Sequence, residues 1–382
     1  MKSKKAIGAL LFIMLYAITF SNIHSIATIE EQITTESVEK ILSDHIIFRN
    51  SFINLYGLFQ KITGVNIIDD KENGYIIRQE NGQLVWVGVT KGQIDESSKR
   101  LNNMLRFKKY LDMHGMECLY VQMPSKNSPD EMHLPVGVTD HLMELQDYQV
   151  HYLHNNGMRV IDLRDEFKHR GYHLEDVFFK TDHHWKPEYA FYANEIITKY
   201  IARLGFNINE AALDAENYEI DTYYDWFLGS IGKRVGIYYA GVDDINFIYP
   251  KFDTLLSFGE RKGAFLDSMI EYSEHCNIRK KNFFNINQYE AYTGGNYPFI
   301  EIQNFMPPNQ KKVIIIKDSM SNAVIPFLAL QCEYLTDIDL RYLTENDMES
   351  MKEYVNKFQP DLVIFTTTSG TDNELFIKDL DD

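Results

Sequence analysis

The chain has 382 residues, 45% of them hydrophobic, which is enough for one large domain with an insertion or for two domains. A formal net charge of -17 repels phosphate backbones and argues against a nucleic-acid partner. Cys118, Cys276 and Cys332 lie far apart and lack CxxC spacing, so we expect buried free thiols rather than zinc ligands or a disulfide framework.

The N-terminus has the pattern of a membrane-targeting segment. Three lysines among the first five residues precede an apolar run that begins at Ala6 and extends to Ile26. This run is near the lower length limit for a membrane-spanning helix. We predict residues 1–27 to be a signal anchor. The alternative is a signal peptide cleaved after the small residues of "SIA". Either form places the body of the chain outside the cytoplasm.

Residues 28–96 are predicted to form an accessory region. Its first element is a helix from about Ser37 to Lys61. A β-hairpin follows in "GYIIRQENGQLVWV", turned by Asn81 and Gly82, because Asn-Gly favours the tight turns that connect antiparallel strands.

Residues 97–382 are predicted to be an α/β domain, because helical periodicity alternates with short apolar runs. Gly115, Gly157 and Gly205 are expected to end the first three helices, and Pro187 suits a first helical position. The alternation predicts parallel strands in a three-layer α/β/α sandwich. The expected strands are Cys118–Met123, Arg159–Leu163, Lys312–Ile316, one within Cys332–Asp339, and Asp361–Thr366. The later helices are expected at Asn322–Leu330 and Glu345–Phe358. Thr344 and Asp347 form a capping box for the second of these helices.

Residues 206–310 interrupt this alternation and are rich in Tyr, Phe and Gly. We interpret them as a β- and loop-rich insertion. No low-complexity linker separates the parts of the chain, so one compact ectodomain is expected.

Three loops are predicted at the carboxyl ends of the strands, where open α/β sheets place their sites. They are Pro124–Lys126, the "TDHHW" stretch of Thr181–Trp185, and "KDSMSN" at Lys317–Asn322. A strand, a tight turn and a helix would raise Ser319 onto a helix N-terminus, where backbone N–H groups face an incoming oxyanion.

These loops contain a chemically complete set of catalytic groups. A serine hydroxyl needs a histidine base, and the histidine needs a carboxylate that fixes its tautomer. Asp182 and His184, two residues apart, can turn to the same side of a loop toward Ser319. His183 then points elsewhere.

Two other interpretations of the histidine cluster remain open. A metal site would use Asp182, His183 and His184, with His173 as a further ligand, although adjacent histidines diverge and no HExxH pair exists. A packed polar corner is the second alternative. Trp185 is more typical of a wall or core residue than of a stacking platform.

The motifs together resemble the bacterial DHHW protein family, which is similar to the SGNH-hydrolase-like alginate O-acetylation proteins AlgJ and AlgX. The resemblance rests on four segments of the chain. These are "KTDHHWKPEYAFYAN", the long stretch from "IIIKDSMSN" to "DLRYL", "PSK" at Pro124, and "ILSDHIIFRNSFINLYG" near Ile41, with "DLRYL" beginning at Asp339.

The resemblance implies an SGNH-hydrolase-like fold with a circularly permuted motif order and a triad of Asp182, His184 and Ser319. Lys317 stands where SGNH hydrolases have the Gly of GDS, and the residues of an oxyanion hole cannot be assigned. Ser230 and Ser321 therefore remain alternative nucleophiles.

The function expected from this resemblance is extracytoplasmic, serine-dependent O-acetyl transfer to a cell-surface or exported polysaccharide. Trp185 and Lys126 are expected to bind substrate, with neither metal nor cofactor. Arg341 follows the strand that ends near Asp339, and it is expected either to bind substrate or to form a structural ion pair with Asp339 or Asp337. Acetyl-CoA is cytoplasmic, so a membrane-bound acyltransferase is expected as the acetyl donor. The alternatives are a carbohydrate acetyl esterase and a non-catalytic polysaccharide-binding or assembly factor.

Overall fold

The computed structural model describes residues 46, 48–128, 132–343 and 353–366. The predicted N-terminal anchor, the start of the predicted first helix and the Thr344 capping box lie outside these residues. None of the helices among the described residues is long and apolar enough to cross a bilayer.

A mixed sheet of eight strands forms the centre of the molecule, in the order β5-β4-β13-β11-β12-β10-β8-β9. The five strands from β5 to β12 in this order are parallel, and the three others are antiparallel to their neighbours. The strands are β1 Ile67–Asp70, β2 Gly74–Arg78, β3 Leu84–Val87, β4 Glu117–Gln122, β5 Arg159–Asp162, β6 Tyr218–Phe227, β7 Asp243–Pro250, β8 Leu256–Phe258, β9 Arg261–Gly263, β10 Phe299–Asn304, β11 Lys312–Lys317, β12 Tyr334–Ile338 and β13 Leu362–Thr366.

The predicted α/β fold is confirmed, and the five strands predicted outside the insertion are the five that pair in parallel. The insertion supplies β8, β9 and β10, which extend the parallel sheet beyond β12 with antiparallel pairing. Its two other strands, β6 and β7, form a separate ribbon. The insertion thus contributes to the main sheet through β10, which its loop-rich composition did not reveal.

Helices cover both faces of the sheet. They are α1 Arg49–Ile62, α2 Gly92–Met113, α3 Leu142–Asn155, α4 Leu163–His169, α5 Leu174–Val177, α6 Pro187–Arg203, α7 Ser230–Val235, α8 Ile237–Ala240, α9 Phe265–Ser268 and α10 Ile325–Leu328, together with residues 353–358. Successive side chains of β11 enter opposite cores: Val313 and Ile315 pack on one face, and Ile314 and Ile316 on the other. This period of two along a fully buried strand is what a three-layer sandwich requires.

The glycine and proline signals at the helix ends are confirmed. Gly115, Gly157 and Gly205 have φ of 73°, 82° and 90° just beyond α2, α3 and α6. Pro187 occupies the first turn of α6. All three cysteines are free and buried.

The predicted hairpin forms from β2 and β3, and its loop contains Asn81 and Gly82. The loop has three residues, because Gln79 donates its N–H to the Gln83 carbonyl, and within it Gly82 has a positive φ. One local prediction is wrong. The expected helix over Asn322–Leu330 is reduced to one α-helical turn at Ile325–Leu328 and a 3-10 turn at Ala329–Gln331. Pro326 disfavours continuation toward the N-terminus, because it lacks an N–H and restricts the residue before it.

Candidate active site

Three loops from different parts of the chain meet beyond the carboxyl ends of the parallel strands. They surround a cleft of about 430 Å³, whose lining includes Trp86, Ser125, Asn127, His183, Ser319 and Arg341. Trp86 comes from the accessory region, so this region forms one wall of the cleft. The cleft is where the sequence placed the site, at the carboxyl rim of the sheet.

Asp182, His184 and Ser319 form a continuous hydrogen-bonded relay at this cleft. His184 Nδ1 lies 2.6 Å from Asp182 Oδ1, and His184 Nε2 lies 2.9 Å from Ser319 Oγ. A carboxylate can only accept, so Nδ1 carries the proton and Nε2 is left to accept the serine O–H. The relay therefore has the geometry and the tautomer that general-base activation of a serine requires.

The Asp182 carboxylate is buried and held by several N–H donors. Its Oδ1 accepts the backbone N–H of His184 at 2.9 Å, and its Oδ2 accepts the backbone N–H of Ser230 at 2.5 Å. Burial alone would raise the pKa of this carboxyl, but the charges and hydrogen bonds of His184 and His183 outweigh burial and place the pKa well below 3.8. Asp182 is thus ionised at neutral pH and can stabilise a charged His184.

His184 is neutral in the resting site. Burial lowers its pKa below 6.5, the nearby His183 adds to the effect, and Asp182 offsets it only in part. The imidazole stacks on Tyr289, with ring centroids 4.2 Å apart and planes 22° apart. The Tyr289 hydroxyl donates to the Met320 carbonyl at 3.0 Å. Tyr289 thereby links the base to the turn that carries the serine.

Ser319 lies on a short turn that follows β11. The turn is a 3-10 helix of three residues, Ser319–Ser321, capped by Asp318, which accepts the Met320 N–H at 3.0 Å. The expected regular helix N-terminus is therefore absent at this position. Ser319 is partly exposed between the two buried residues Asp318 and Met320, so its hydroxyl can meet a ligand in the cleft.

Lys317, in place of the glycine of the GDS pattern, is buried beneath this turn. Its Nζ donates to Asn322 Oδ1 at 2.7 Å and lies 3.7 Å from Asp337 and 3.8 Å from Asp339. The departure from the family pattern thus adds a buried charge cluster under the serine turn. Burial raises the pKa of Asp337 to about 6.

The two alternative serines lack a His184 partner. Ser321 is fully buried, and its hydroxyl donates to Thr366 Oγ1 at 2.8 Å. Ser230 Oγ contacts His183 Nδ1 at 3.0 Å. The same nitrogen, His183 Nδ1, also lies 3.2 Å from Asp182 Oδ1. His183 therefore lies beside the relay and does not connect Asp182 to Ser319.

Of the three expected substrate-binding residues, Lys126 and Arg341 line the cleft and Trp185 does not. Trp185 is completely buried in the main core and cannot contact a substrate. Lys126 is also buried, and its ammonium faces four backbone carbonyls, those of Leu84, Phe179, Lys180 and Asp182, at 2.7 to 3.3 Å. Arg341 does line the cleft, and it also forms a two-point ion pair with Asp339.

Lys126 instead positions the loop that carries the relay. The loop is closed by an antiparallel bridge between Phe178 and Trp185, and its inward carbonyls converge on the Lys126 ammonium. Burial lowers the pKa of Lys126 to about 7, and the nearby charges of Asp243 and Asp182 offset this only in part. The contact with Leu84 ties the same loop to β3 of the accessory region.

The sequence reasoning missed two contributions from the insertion. Gly229 passes so close to the relay that a Cβ at this position would lie 2.2 Å from Asp182 Cβ. Asp243 accepts the backbone N–H groups of Lys180 and Thr181, both at 2.8 Å. The "LGSIG" segment is a signal for a close backbone approach, but only the fold shows what it approaches.

The metal interpretation receives limited support. Asp182, His183 and His184 offer donor atoms within 4.8 Å of one another, and among the described residues His173 is not part of this group. In the relay, however, His184 Nδ1 donates its proton to Asp182 Oδ1, so this hydrogen bond already occupies both atoms. An ion at this position would have to break that hydrogen bond.

Comparison with known proteins identifies the class of fold. Residues 89–223, which include the Asp182–His184 loop, match the model of the SGNH hydrolase-like domain of acetyltransferase AlgX. The predicted resemblance to SGNH-like and DHHW proteins is confirmed. No curated protein matches the chain.

Particular solved structures share most of the architecture. Bacillus cereus PatB1 superposes with a TM-score of 0.62 and 21% identity over 81% of this chain and 99% of that one. A second PatB1 structure, with a sulfonyl adduct, has a TM-score of 0.60 and 20% identity over 79% and 98%. A DHHW family protein from Eubacterium siraeum has a TM-score of 0.54 and 17% identity over 81% and 95%. At these identities the likeness defines the fold, and the chemistry has to be argued from the site.

The close approach of Gly229 to Asp182 leads to a first prediction. Gly229→Ala should lower the free energy of unfolding in urea by about 2 kcal/mol, because the added methyl overpacks a buried polar site. Gly92→Ala is the matched control, since its nearest neighbour would be 3.9 Å away, and it should leave stability unchanged or slightly raised. Equal stability of the two variants would show that residue 229 has space for a side chain.

The four carbonyl contacts of Lys126 lead to a second prediction. Lys126→Met should lower the free energy of unfolding by about 3 kcal/mol, because several buried carbonyls lose their donor together. Lys186→Met, which removes one exposed contact to the Glu175 carbonyl, should change it by less than about 0.5 kcal/mol. Similar losses in the two variants would contradict a positioning role for Lys126.

Proposed function

We propose that this protein is an extracytoplasmic serine O-acetyltransferase that acylates a carbohydrate polymer through Ser319. The relay from Asp182 through His184 to Ser319, at the side of an open cleft, carries the proposal. The match of residues 89–223 to an acetyltransferase domain supports the acetyl group as the transferred unit.

The first half of the proposed reaction loads the enzyme. His184 Nε2 takes the proton from Ser319 Oγ, and Oγ attacks the carbonyl carbon of the acetyl donor. The resulting imidazolium is stabilised by the ionised Asp182 at 2.6 Å. His184 then gives this proton to the departing oxygen or sulfur of the donor, leaving an acetyl ester on Ser319.

The second half unloads the enzyme. A sugar hydroxyl enters the cleft and attacks the acetyl ester while His184 Nε2 takes the hydroxyl proton. The proton passes to Ser319 Oγ as the bond between Oγ and the acetyl carbon breaks. Ser319 is regenerated, and the sugar carries the acetyl group. In this sequence of steps the site supplies the positioned base, and the sugar hydroxyl is the acceptor.

The cleft has the chemistry of a carbohydrate subsite. The Trp86 indole lies 5.1 Å from the His183 ring, and together they offer an amphipathic surface of the kind that binds sugar faces. Arg341 contributes a fork of N–H donors at the same cleft. These three groups are proposed to hold the acceptor, and a membrane-bound acyltransferase is proposed as the source of the donor.

A serine nucleophile is also consistent with a structural neighbour. One PatB1 structure carries a sulfonyl adduct, and sulfonyl groups react with activated nucleophiles. For this chain, Ser319 is the hydroxyl bonded to the histidine base at the cleft. The same adduct is therefore expected on Ser319. A non-catalytic binding factor would have no need of such an ordered relay.

The esterase alternative uses the same triad, so only the acceptor separates it from the transferase. Incubation with an activated acetyl ester and an oligosaccharide, followed by quantification of acetylated sugar and free acetate, tests the proposal. A transferase forms acetylated sugar in a ratio to acetate that rises with oligosaccharide concentration. Acetate as the sole product at saturating oligosaccharide would identify an esterase.

The relay predicts a specific loss on mutation. Ser319→Ala should lower the rate of acetyl release or transfer by about 10³-fold or more, because no oxygen remains at the relay to carry the acetyl group. Its melting temperature should stay close to that of the parent, since Ser319 is only partly buried. Ser321→Ala, at the neighbouring buried hydroxyl, should retain activity per folded molecule. Loss of activity in the control alone would assign the nucleophile to Ser321.

The low pKa of His184 predicts the pH dependence. Catalysis needs neutral imidazole, so kcat/KM should fall at acid pH with a midpoint below 6.5. His183→Gln should raise this midpoint, because the charge of His183 helps to lower the pKa of His184. The check is the pH profile of kcat/KM for both proteins. A parent midpoint above 6.5 would mean that Asp182 outweighs burial at this histidine.

Arg341 can be tested against a second arginine that has the same fork geometry, Arg164, which also donates from Nη1 to Asp147 at 2.8 Å. Arg341 forks onto Asp339 with Nε at 2.9 Å and Nη2 at 2.6 Å, and Arg164 forks onto Asp162 at the same two distances. Both pairs occur in an "IDLR" segment at a strand end. Of the two arginines, only Arg341 lines the cleft.

Both lysine variants, Arg341→Lys and Arg164→Lys, lose the same fork, and Arg164→Lys also disturbs the contact with Asp147, so it should lower the melting temperature at least as much as Arg341→Lys. Arg341→Lys alone should raise the KM for the acceptor several-fold, because a lysine cannot reproduce the planar donors. Steady-state kinetics over a range of acceptor concentrations measure this. Unchanged KM in Arg341→Lys would make the arginine purely structural.

A further inference from the structure

Helix α1, Arg49–Ile62, buries Gly57 and Gln60 and half-buries Ile53 and Leu58, and it turns most of its large apolar side chains outward. Phe48, Phe52, Leu55, Phe59 and Ile62 are 45% to 75% exposed. They recur at intervals of four and three residues and so form one stripe along the helix. Tyr56, 63% exposed, widens this stripe.

The inward face of α1 is fixed by close contacts and cannot rotate to bury the stripe. Gly57 is buried so tightly that a Cβ would lie 2.0 Å from the Val235 carbonyl oxygen. Asn54 Oδ1 accepts the Ile237 N–H at 2.8 Å. Such an orientation is the reverse of an ordinary surface helix, which buries its apolar side. The stripe is therefore a surface that meets an apolar environment.

We propose that this face of α1, formed by Phe48, Phe52, Leu55, Tyr56, Phe59 and Ile62, lies on the lipid bilayer that holds the N-terminal segment. The inference does not depend on the enzymatic function proposed above. It rests on the side chains of α1, its charge and its place in the chain.

The charge of α1 favours a lipid surface. Its fourteen residues contain Arg49 and Lys61 and no Asp or Glu, although the whole chain has a net charge of -17. Cations flanking aromatic and aliphatic side chains are the pattern of helices that lie in a membrane interface. Anionic headgroups attract such a helix and repel the acidic remainder of the protein.

The place of α1 in the chain favours the same partner. The described residues begin just before this helix, and the 45 residues ahead of it contain the apolar run from Ala6 that follows three lysines. From Ile26 to Phe48 the chain reaches at most on the order of 70 Å when fully extended. A bilayer that holds the apolar run therefore stays within reach of α1 at a high effective concentration.

The face also continues beyond the helix, which suits a broad surface better than a narrow seam between two helices. Tyr238 is 56% exposed, and its carbonyl accepts Lys61 Nζ at 3.1 Å. A second copy of the chain, or the N-terminal segment folded back on α1, remains a distinguishable outcome of the experiment below.

The test uses the full chain reconstituted into vesicles of phosphatidylcholine and phosphatidylglycerol. The three native cysteines are buried, so a single introduced cysteine can carry an environment-sensitive fluorophore. Leu55→Cys reports on the apolar face. Met113→Cys, 68% exposed at the end of α2 and thus at the opposite edge of the sheet from the cleft, is the matched control.

The label at residue 55 should be quenched by nitroxide on the lipid acyl chains and protected from aqueous iodide, and the label at residue 113 should show the reverse. Iodide quenching at residue 55 equal to that at residue 113 would overturn the proposal. Protection of residue 55 from both quenchers would also overturn it. That result would mean that the face contacts protein. Cross-linking between copies would then identify a second chain as the partner, and the absence of cross-linking would identify the N-terminal segment.

Discussion

The buried carboxylate of Asp182 is the constraint around which the rest of the site is arranged. A charge removed from water must be compensated by donors, and this one accepts hydrogen bonds from the Nδ1 and backbone N–H of His184 and from the backbone N–H of Ser230. Two of these donors fix the histidine tautomer and ring orientation. The third comes from the insertion, some fifty residues away in sequence. The relay is therefore complete only when the insertion is folded against the Thr181–Trp185 loop.

The accessory region takes part in the same arrangement. Lys126 joins β3 to the relay loop through the carbonyls of Leu84 and Asp182, and Trp86 forms part of the cleft. Burial of an ammonium group is unfavourable unless it is solvated by fixed dipoles, which the converging carbonyls provide. The three segments of the chain thus share one polar centre. Removing a contact in any of them should alter the position of His184 relative to Ser319.

The chain order of the α/β elements could be predicted because the signals are local. Gly115, Gly157 and Gly205 end helices through their positive φ, and the apolar run at Lys312–Lys317 is long enough for one buried strand. Ser319 could be predicted because it follows the end of β11, and Asp182 and His184 because they stand two apart in one loop of a recognisable motif. Gly229, Ser230 and Asp243 could not, because their roles arise from contacts across 48 to 63 positions in sequence. The burial of Trp185 and of the Lys126 ammonium could not be predicted either, since residue type indicates what a side chain can do but not whether it faces the cleft or the interior.

The central claim is that the Ser319 hydroxyl carries the acetyl group. Rapid acid quenching of the parent protein after mixing with an acetyl ester, followed by proteolysis and peptide mass spectrometry, measures this directly. The account predicts one acetyl group per molecule on Ser319 during turnover, and none in the Asp182→Asn and His184→Gln variants at the same time point. Acetyl groups on Ser230 or Ser321, or turnover without any acetylated peptide, would contradict it.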